Sequence, residues 1–367
     1  MVNGWNGGIA SARRVALISL CAWAMLAGVA QAQKWGTAAV FPEPSEELYG
    51  IASGGKMYVF GGQQLGWKSL GMVYEYDPAA DRWTKKKDMP LPAHHAALAE
   101  YNGKIYIIGG FTVPSGVEKG NPPGWEPIDN VWEYDPRGDA WRALAPLPSK
   151  RGSVVAAVVG GKIYAIGGAA NDRGSPEPYI DRTRGRPSLH RALPTNEVYD
   201  PATNRWASRN PMPTARNHAA VGVVGGKIYV IGGRVGSVFM STGSNTDIVE
   251  EYDPATDQWG GIRAPMPTPR SGGAWAVYNG RIYVAGGEGR SYQFSAAFKA
   301  VEAYDVAANF WYVMPPMQVQ RHGLAGAVIG NRLHLVSGVI QSQAPLTGTS
   351  LATEIHEVLE LPANNMQ

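Results

Sequence analysis

A single cysteine, Cys21, stands among 367 residues, and it falls within the first 32. Long apolar runs are equally scarce. The one stretch of note, residues 15–29, is too short, and its exit too small and polar, to read as a membrane span. It follows the basic pair Arg13-Arg14 and precedes Ala30-Gln31-Ala32, the order of a secretory leader and its cleavage site. Residues 1–32 are therefore expected to be a signal peptide. Residues 33–367 are expected to be one domain, periplasmic or secreted, with no membrane attachment after cleavage. The arginine pair leaves Sec-type and twin-arginine export both open. Cleavage removes Cys21, so the mature chain has no thiol for a disulfide, a nucleophile or a thiolate metal site. Charge is sparse too. With 17% charged residues and a net charge of +3, nothing announces a nucleic-acid binder. A hydrophobic share of 44% excludes disorder by composition.

What the chain has in quantity is glycine, 46 residues, and proline, 27. Both punctuate turns, which favours many short strands over helices. The sequence also repeats. Met57-Tyr58-Val59-Phe60-Gly61-Gly62 returns at residues 105–110, 163–168, 228–233 and 282–287, and in degraded form at 333–338. After each of the first five diglycines comes Tyr-Asp: Tyr76, Tyr134, Tyr199, Tyr252 and Tyr304 lead the pairs. Seven residues past each tyrosine stands Trp83, Trp141, Trp206, Trp259 or Trp311. Two-residue turns such as Asn102-Gly103 and Asn279-Gly280 mark hairpins just before the apolar strands.

The diglycine, the Tyr-Asp pair and the spaced tryptophan resemble the Kelch repeat, and the resemblance covers nearly the whole mature chain. It implies an all-β fold, a six-bladed β-propeller of four-stranded Kelch blades. The sixth unit lacks a tryptophan and ends after a third strand near residues 354–361, while Trp35 precedes any diglycine. An N-terminal strand at residues 36–41 is therefore expected to close blade six. A monomer is expected.

In such blades the long second-to-third-strand loops share a face with the blade connections, and long loops on a rigid scaffold carry function. Here those loops are residues 111–130, 169–196 and 234–248. Prolines 42, 90, 146, 211, 265 and 316 open the connections, and five residues later stand Glu47, His95, Arg151, Arg216, Arg270 and Arg321. All six are expected to ring the channel mouth. His218, His322, Gln63, Phe111, Arg234 and Glu288 should point into the same mouth, with Arg290 close by. Two readings compete for the arginines. They can satisfy loop carbonyls or Asp side chains within the fold. Alternatively, guanidinium groups about 7 Å apart repel by roughly 2 kcal/mol at an effective dielectric near 20, which an acidic ligand would relieve. Binding through equivalent arginines is also what the resemblance implies. The loop at 169–196 adds Arg173, Arg182, Arg184, Arg186, His190 and Arg191, as a basic lid or a solvated loop.

The favoured function is binding of an acidic small molecule, glycan or acidic peptide through Arg151, Arg216, Arg270, Arg321, Arg234 and Arg290. Some exported Kelch propellers are sialic-acid mutarotases, so sugar mutarotation is the enzymatic alternative, with Glu47, Glu288, His95, His218 and His322 as candidate acids and bases. A protein-interaction scaffold is the third reading. The seven histidines are scattered. A pair such as His218 and His322 could hold a metal, yet no metal centre and no cofactor are expected.

Overall fold

The computed structural model describes residues 34–64, 68–113, 125–171, 180–181, 186–187, 190–238, 243–342 and 351–362, the last within the unit Gln33–Gln367. The leader and most of the basic loop, including Arg173, Arg182 and Arg184, lie outside the described residues, as does the side chain of Arg186. Every described element is a strand or turn. Six four-stranded antiparallel sheets account for the repeat. Their innermost strands are Glu46–Ser53, Ala97–Tyr101, Val155–Val159, Ala220–Val224, Ala274–Tyr278 and Ala325–Ile329. These pack side by side around an axis, blade one beside blade six.

Crowding at that axis explains the small residues. A Cβ on Gly222 would sit 2.6 Å from Ile282, and one on Gly326 would sit 2.7 Å from the Cβ of Ala274. The diglycine answers a different contact. The Gly287 amide donates to the Arg321 carbonyl, and a Cβ on Gly286 would meet that same carbonyl at 2.5 Å. Each diglycine is thus where the next blade's connection lies against the sheet.

The repeated aromatics tie blade to blade. Trp83, Trp141, Trp206, Trp259 and Trp311 each donate an indole N–H to a carbonyl of the preceding blade's segment, at 2.9–3.1 Å. The repeat tyrosines donate to Asp81, Asp139, Asn204, Asp257 and Asn309 at 2.6–2.7 Å. Those five carboxylates and amides sit at positive φ in the outer turn, which Asp and Asn tolerate. Each also accepts an amide N–H from the neighbouring blade.

Blade six closes as expected. Trp35–Thr37 pairs antiparallel with His356–Glu360, and the Trp35 indole donates to the Pro315 carbonyl at 3.2 Å. The strand is shorter than residues 36–41 and starts one residue earlier. Beyond it the Ala38 and Phe41 amides still bond His356 and Glu354.

Candidate functional site

Three consecutive positions open every blade, each with its own task. The first is Ser45, Ala93, Arg151, Arg216, Arg270 and Arg321. The second is Glu46, His94, Gly152, Asn217, Ser271 and His322, which bridges to the residue after the diglycine. The third is Glu47, His95, Ser153, His218, Gly272 and Gly323, all in the left-handed region with φ of 53–64°. In that conformation the third-position backbones link blade to blade. Ser153 N–H donates to His95 O (2.8 Å), His218 to Ser153 (3.4 Å), Gly272 to His218 (3.2 Å) and Gly323 to Gly272 (2.8 Å). Four amide bonds thus run round the axis through blades two to six.

This register corrects the expected arginine ring. Glu47 and His95 belong to the third position, and Arg151, Arg216, Arg270 and Arg321 to the first. The arginines do not reach the mouth. Each is almost completely buried and forms an ion pair with a glutamate of its own blade: Glu197, Glu250, Glu302 and Glu357 respectively. The Arg216 and Arg270 pairs close at 2.6 and 2.5 Å. Remaining N–H groups satisfy strand carbonyls, such as Gly232 and Ile248 for Arg216 and Ser337 and Ile355 for Arg321. Only the buried Nε of Arg270 and of Arg321 lack an aligned partner, and with each guanidinium desolvated and held by its glutamate, none is presented to the mouth. The signal was in the sequence: each glutamate stands two residues before the third-strand Tyr, or its blade-six equivalent Leu359. Blades one and two, which lack the arginine, carry Tyr74 and Trp132 there.

The other candidates do converge. Glu47, His95 and His218 bring one donor atom each within 4.8 Å of one another. His95 Nε2 lies 3.0 Å from a Glu47 carboxylate oxygen, at ion-pair distance but without hydrogen-bond alignment. His322 Nε2 stands 3.9 Å from Glu47 and 3.5 Å from Glu288, and Arg234 pairs with Glu288 at 2.9 Å. All six side chains are buried. Arg290, by contrast, is exposed on a hairpin, Glu288–Arg290 with Ser295–Ala297. Gln63 and Phe111 are buried, Phe111 against Trp125 and Ala169. His190 lies beside Phe111, away from the axis.

Burial would raise the Glu47 carboxyl, but His95, His322 and Arg234 outweigh it and hold the group at about 2. Its neighbour Glu46 goes the other way. Burial first, then the charges of Glu47 and Glu288, push it up to about 8. His218 and His94 are held well below the usual imidazole range, chiefly by burial. An acid that keeps its proton at neutral pH thus adjoins a carboxylate that does not. Glu46 carried no sequence signal, since only packing sets its protonation.

The Kelch motif matches residues 51–90, 92–148, 150–213, 215–259 and 269–318. The chain belongs to the Kelch repeat family. Kelch-like protein terF of Aspergillus terreus is 29% identical over 83% of this chain and 63% of its own length. Human Kelch-like protein 23 is 27% identical over 79% of this chain and 45% of its own, and Beta-scruin of Limulus polyphemus 27% over 73% and 27%. The chain therefore spans about a quarter to two thirds of these relatives. Among solved structures, YjhT superposes with a TM-score of 0.70 at 19% identity, covering 90% of this chain and 98% of that one, a likeness of fold. In this Kelch propeller Tyr49 and Trp275 line both a small cavity beside Glu47 and His218 and a larger one walled by the innermost strands.

Proposed function

We propose that this Kelch propeller is a protein-recognition module whose partner docks on the face of the blade connections. The observation that carries the reading is the hairpin of blade five. Its first residue, Glu288, belongs to the axial cluster, while its tip leaves Tyr292 at 93% and Phe294 at 49% exposure beside Arg290. Tyr and Arg are enriched among the residues that carry binding energy, and an exposed aromatic tip next to a polar concavity suits a protruding partner segment. Membership of the Kelch family supports the same reading. Among the described residues the mouth offers carboxylates and imidazoles, with the buried Arg234 guanidinium tied to Glu288. It therefore receives a hydroxyl, amide or cationic group more readily than the acidic group that four free arginines would have taken. Export is part of the proposal and rests on residues 1–32 alone. Mass spectrometry of the exported protein should find Gln33 at the N-terminus, and an intact Met1 would overturn it.

Peptides selected from a display library on the untagged chain test the docking face. Tyr292→Ala, Phe294→Ala and Glu47→Gln should each weaken binding at least tenfold. Phe310→Ala, at the start of an outermost strand on the opposite face, should not. Selected peptides indifferent to the first three would contradict the proposal.

Sugar mutarotation is a second reading, favoured by the contrast between Glu46 and Glu47. Ring opening needs an acid and a base near the anomeric oxygen, and environments that push two carboxyl groups apart supply them. An NMR mutarotation assay on sialic and uronic acids checks it. Rates above background that fall with Glu46→Gln would support it, and rates equal to background would exclude those substrates.

A further inference from the structure

Glu47, His95 and His218 come from three different blades, one, two and four, yet arrive at one point through the same left-handed step. The equivalent positions in blades five and six are Gly272 and Gly323, which meet that φ without a Cβ. Holding Glu and His there is costlier for the backbone than glycine, and such strain gathers at functional sites. Two imidazoles and one carboxylate form a donor set that suits Zn²⁺ and its neighbours in the first transition row better than Ca²⁺ or Mg²⁺.

The groups behind these donors fix their orientation. His218 Nδ1 lies 2.5 Å from the Asn217 side-chain oxygen, which can only accept, so Nδ1 carries the proton and Nε2 presents its lone pair, met at 3.4 Å by the Ser153 hydroxyl that a metal ion would displace. Asn217 is itself anchored through its amide to the Ser237 carbonyl at 3.3 Å. His95 Nδ1 is bonded to His94 Nδ1, and its Nε2, buried, makes no aligned hydrogen bond. Backing of one ring nitrogen, so that the other can present its lone pair, is what a metal-bound histidine requires. Charge is compatible as well. Arg234 lies nearby, but Glu288 neutralises it at 2.9 Å.

We propose that Glu47, His95 and His218 bind one divalent transition-metal ion of the Zn²⁺ type on the propeller axis, leaving a coordination position open beside His322. Donor atoms around a tetrahedral Zn²⁺ with bonds near 2.0–2.1 Å stand about 3.3 Å apart. The Glu47–His95 separation of 3.0 Å already matches. The widest separation, at most 4.8 Å, must close by no more than about 1.5 Å, within the reach of small side-chain rotations. The site does not depend on protein recognition by this face, and either can fail alone.

Co²⁺ is the probe, because its visible absorption reports a low-coordinate nitrogen and oxygen environment. Untagged, chelator-stripped protein titrated with Co²⁺ should develop that absorption and saturate at one ion per chain, and Zn²⁺ should displace it. His218→Ala and Glu47→Gln should weaken binding at least 100-fold, and Asn217→Ala, acting through His218, about 10–100-fold. Circular dichroism confirms that each variant is folded. A variant that fails to fold is replaced by His95→Gln or His218→Gln, held to the same expectation. Folded parent protein without the absorption, or one-to-one binding that survives both His218→Ala and Glu47→Gln, would overturn the proposal.

Discussion

At the scale of single residues, the four repeat arginines are internal struts. Each guanidinium is desolvated and matched by one glutamate, so removing either partner leaves a buried charge alone. Arg270→Ala should therefore cost about 3–5 kcal/mol of stability in guanidinium unfolding. Replacing the pair together, Arg270→Met with Glu302→Leu, should recover most of that loss, because the charges vanish in step and the volume is kept. A double variant as unstable as the single one would show that the carbonyl contacts of Arg270, not the ion pair, hold the blade.

The closing strand is the element on which blade six depends. Phe41 is buried against Tyr74 and Trp83, and Trp35 reaches the Pro315 carbonyl. A chain starting after residue 41 loses both and exposes the His356–Glu360 edge. Its melting temperature should fall by on the order of 10 °C, and an unchanged melting curve would contradict the closure. The same element makes the fold acid-sensitive. His356 Nδ1 donates to the Ala39 carbonyl at 3.2 Å, so its Nε2 accepts from His334 Nδ1 at 2.9 Å. A proton on His356 Nε2 would face the His334 N–H. Burial lowers His334 to about 3 and His356 to about 4, in His334 with help from the His356 charge. Both lie below the unfolded value near 6.5. Between pH 6.5 and about 4 the unfolded chain binds protons that the native chain refuses. Stability should thus be intact above pH 6.5 and fall as the pH drops toward 4. Urea midpoints at pH 7.5 and 4.5 measure this. A drop no smaller in His356→Gln would place the acid sensitivity elsewhere.

Over the whole molecule, the blades were readable in the sequence because every blade repeats the same local chemistry. The diglycine makes a fixed contact with the next blade, and the tyrosine turn and the spaced tryptophan with the preceding one, so regular spacing marked out six four-stranded sheets and the N-terminal closure. The site was half readable. Glu47, His95, His218, His322, Glu288 and Arg234 do meet at one mouth. Counting from the connection prolines, however, set Glu47 and His95 in line with the arginines, since the two earliest connections run two residues shorter between proline and the first position. Only the backbone, with its left-handed step at the third position, separates struts from axis. Glu46 was not legible at all, because burial and two neighbouring carboxylates decide its state.

The separation of those two positions is most directly tested by unfolding His218→Gly and Arg216→Ala side by side in guanidinium chloride. Glycine relieves the left-handed backbone at 218 and reproduces what Gly272 and Gly323 do in blades five and six, offsetting the loss of the imidazole. His218→Gly should stay within about 1 kcal/mol of the parent, while Arg216→Ala, one blade opening and two residues away, should lose about 3–5 kcal/mol. Equal losses in the two variants, or a larger loss at position 218, would contradict the assignment of the first position to the fold and the third to function.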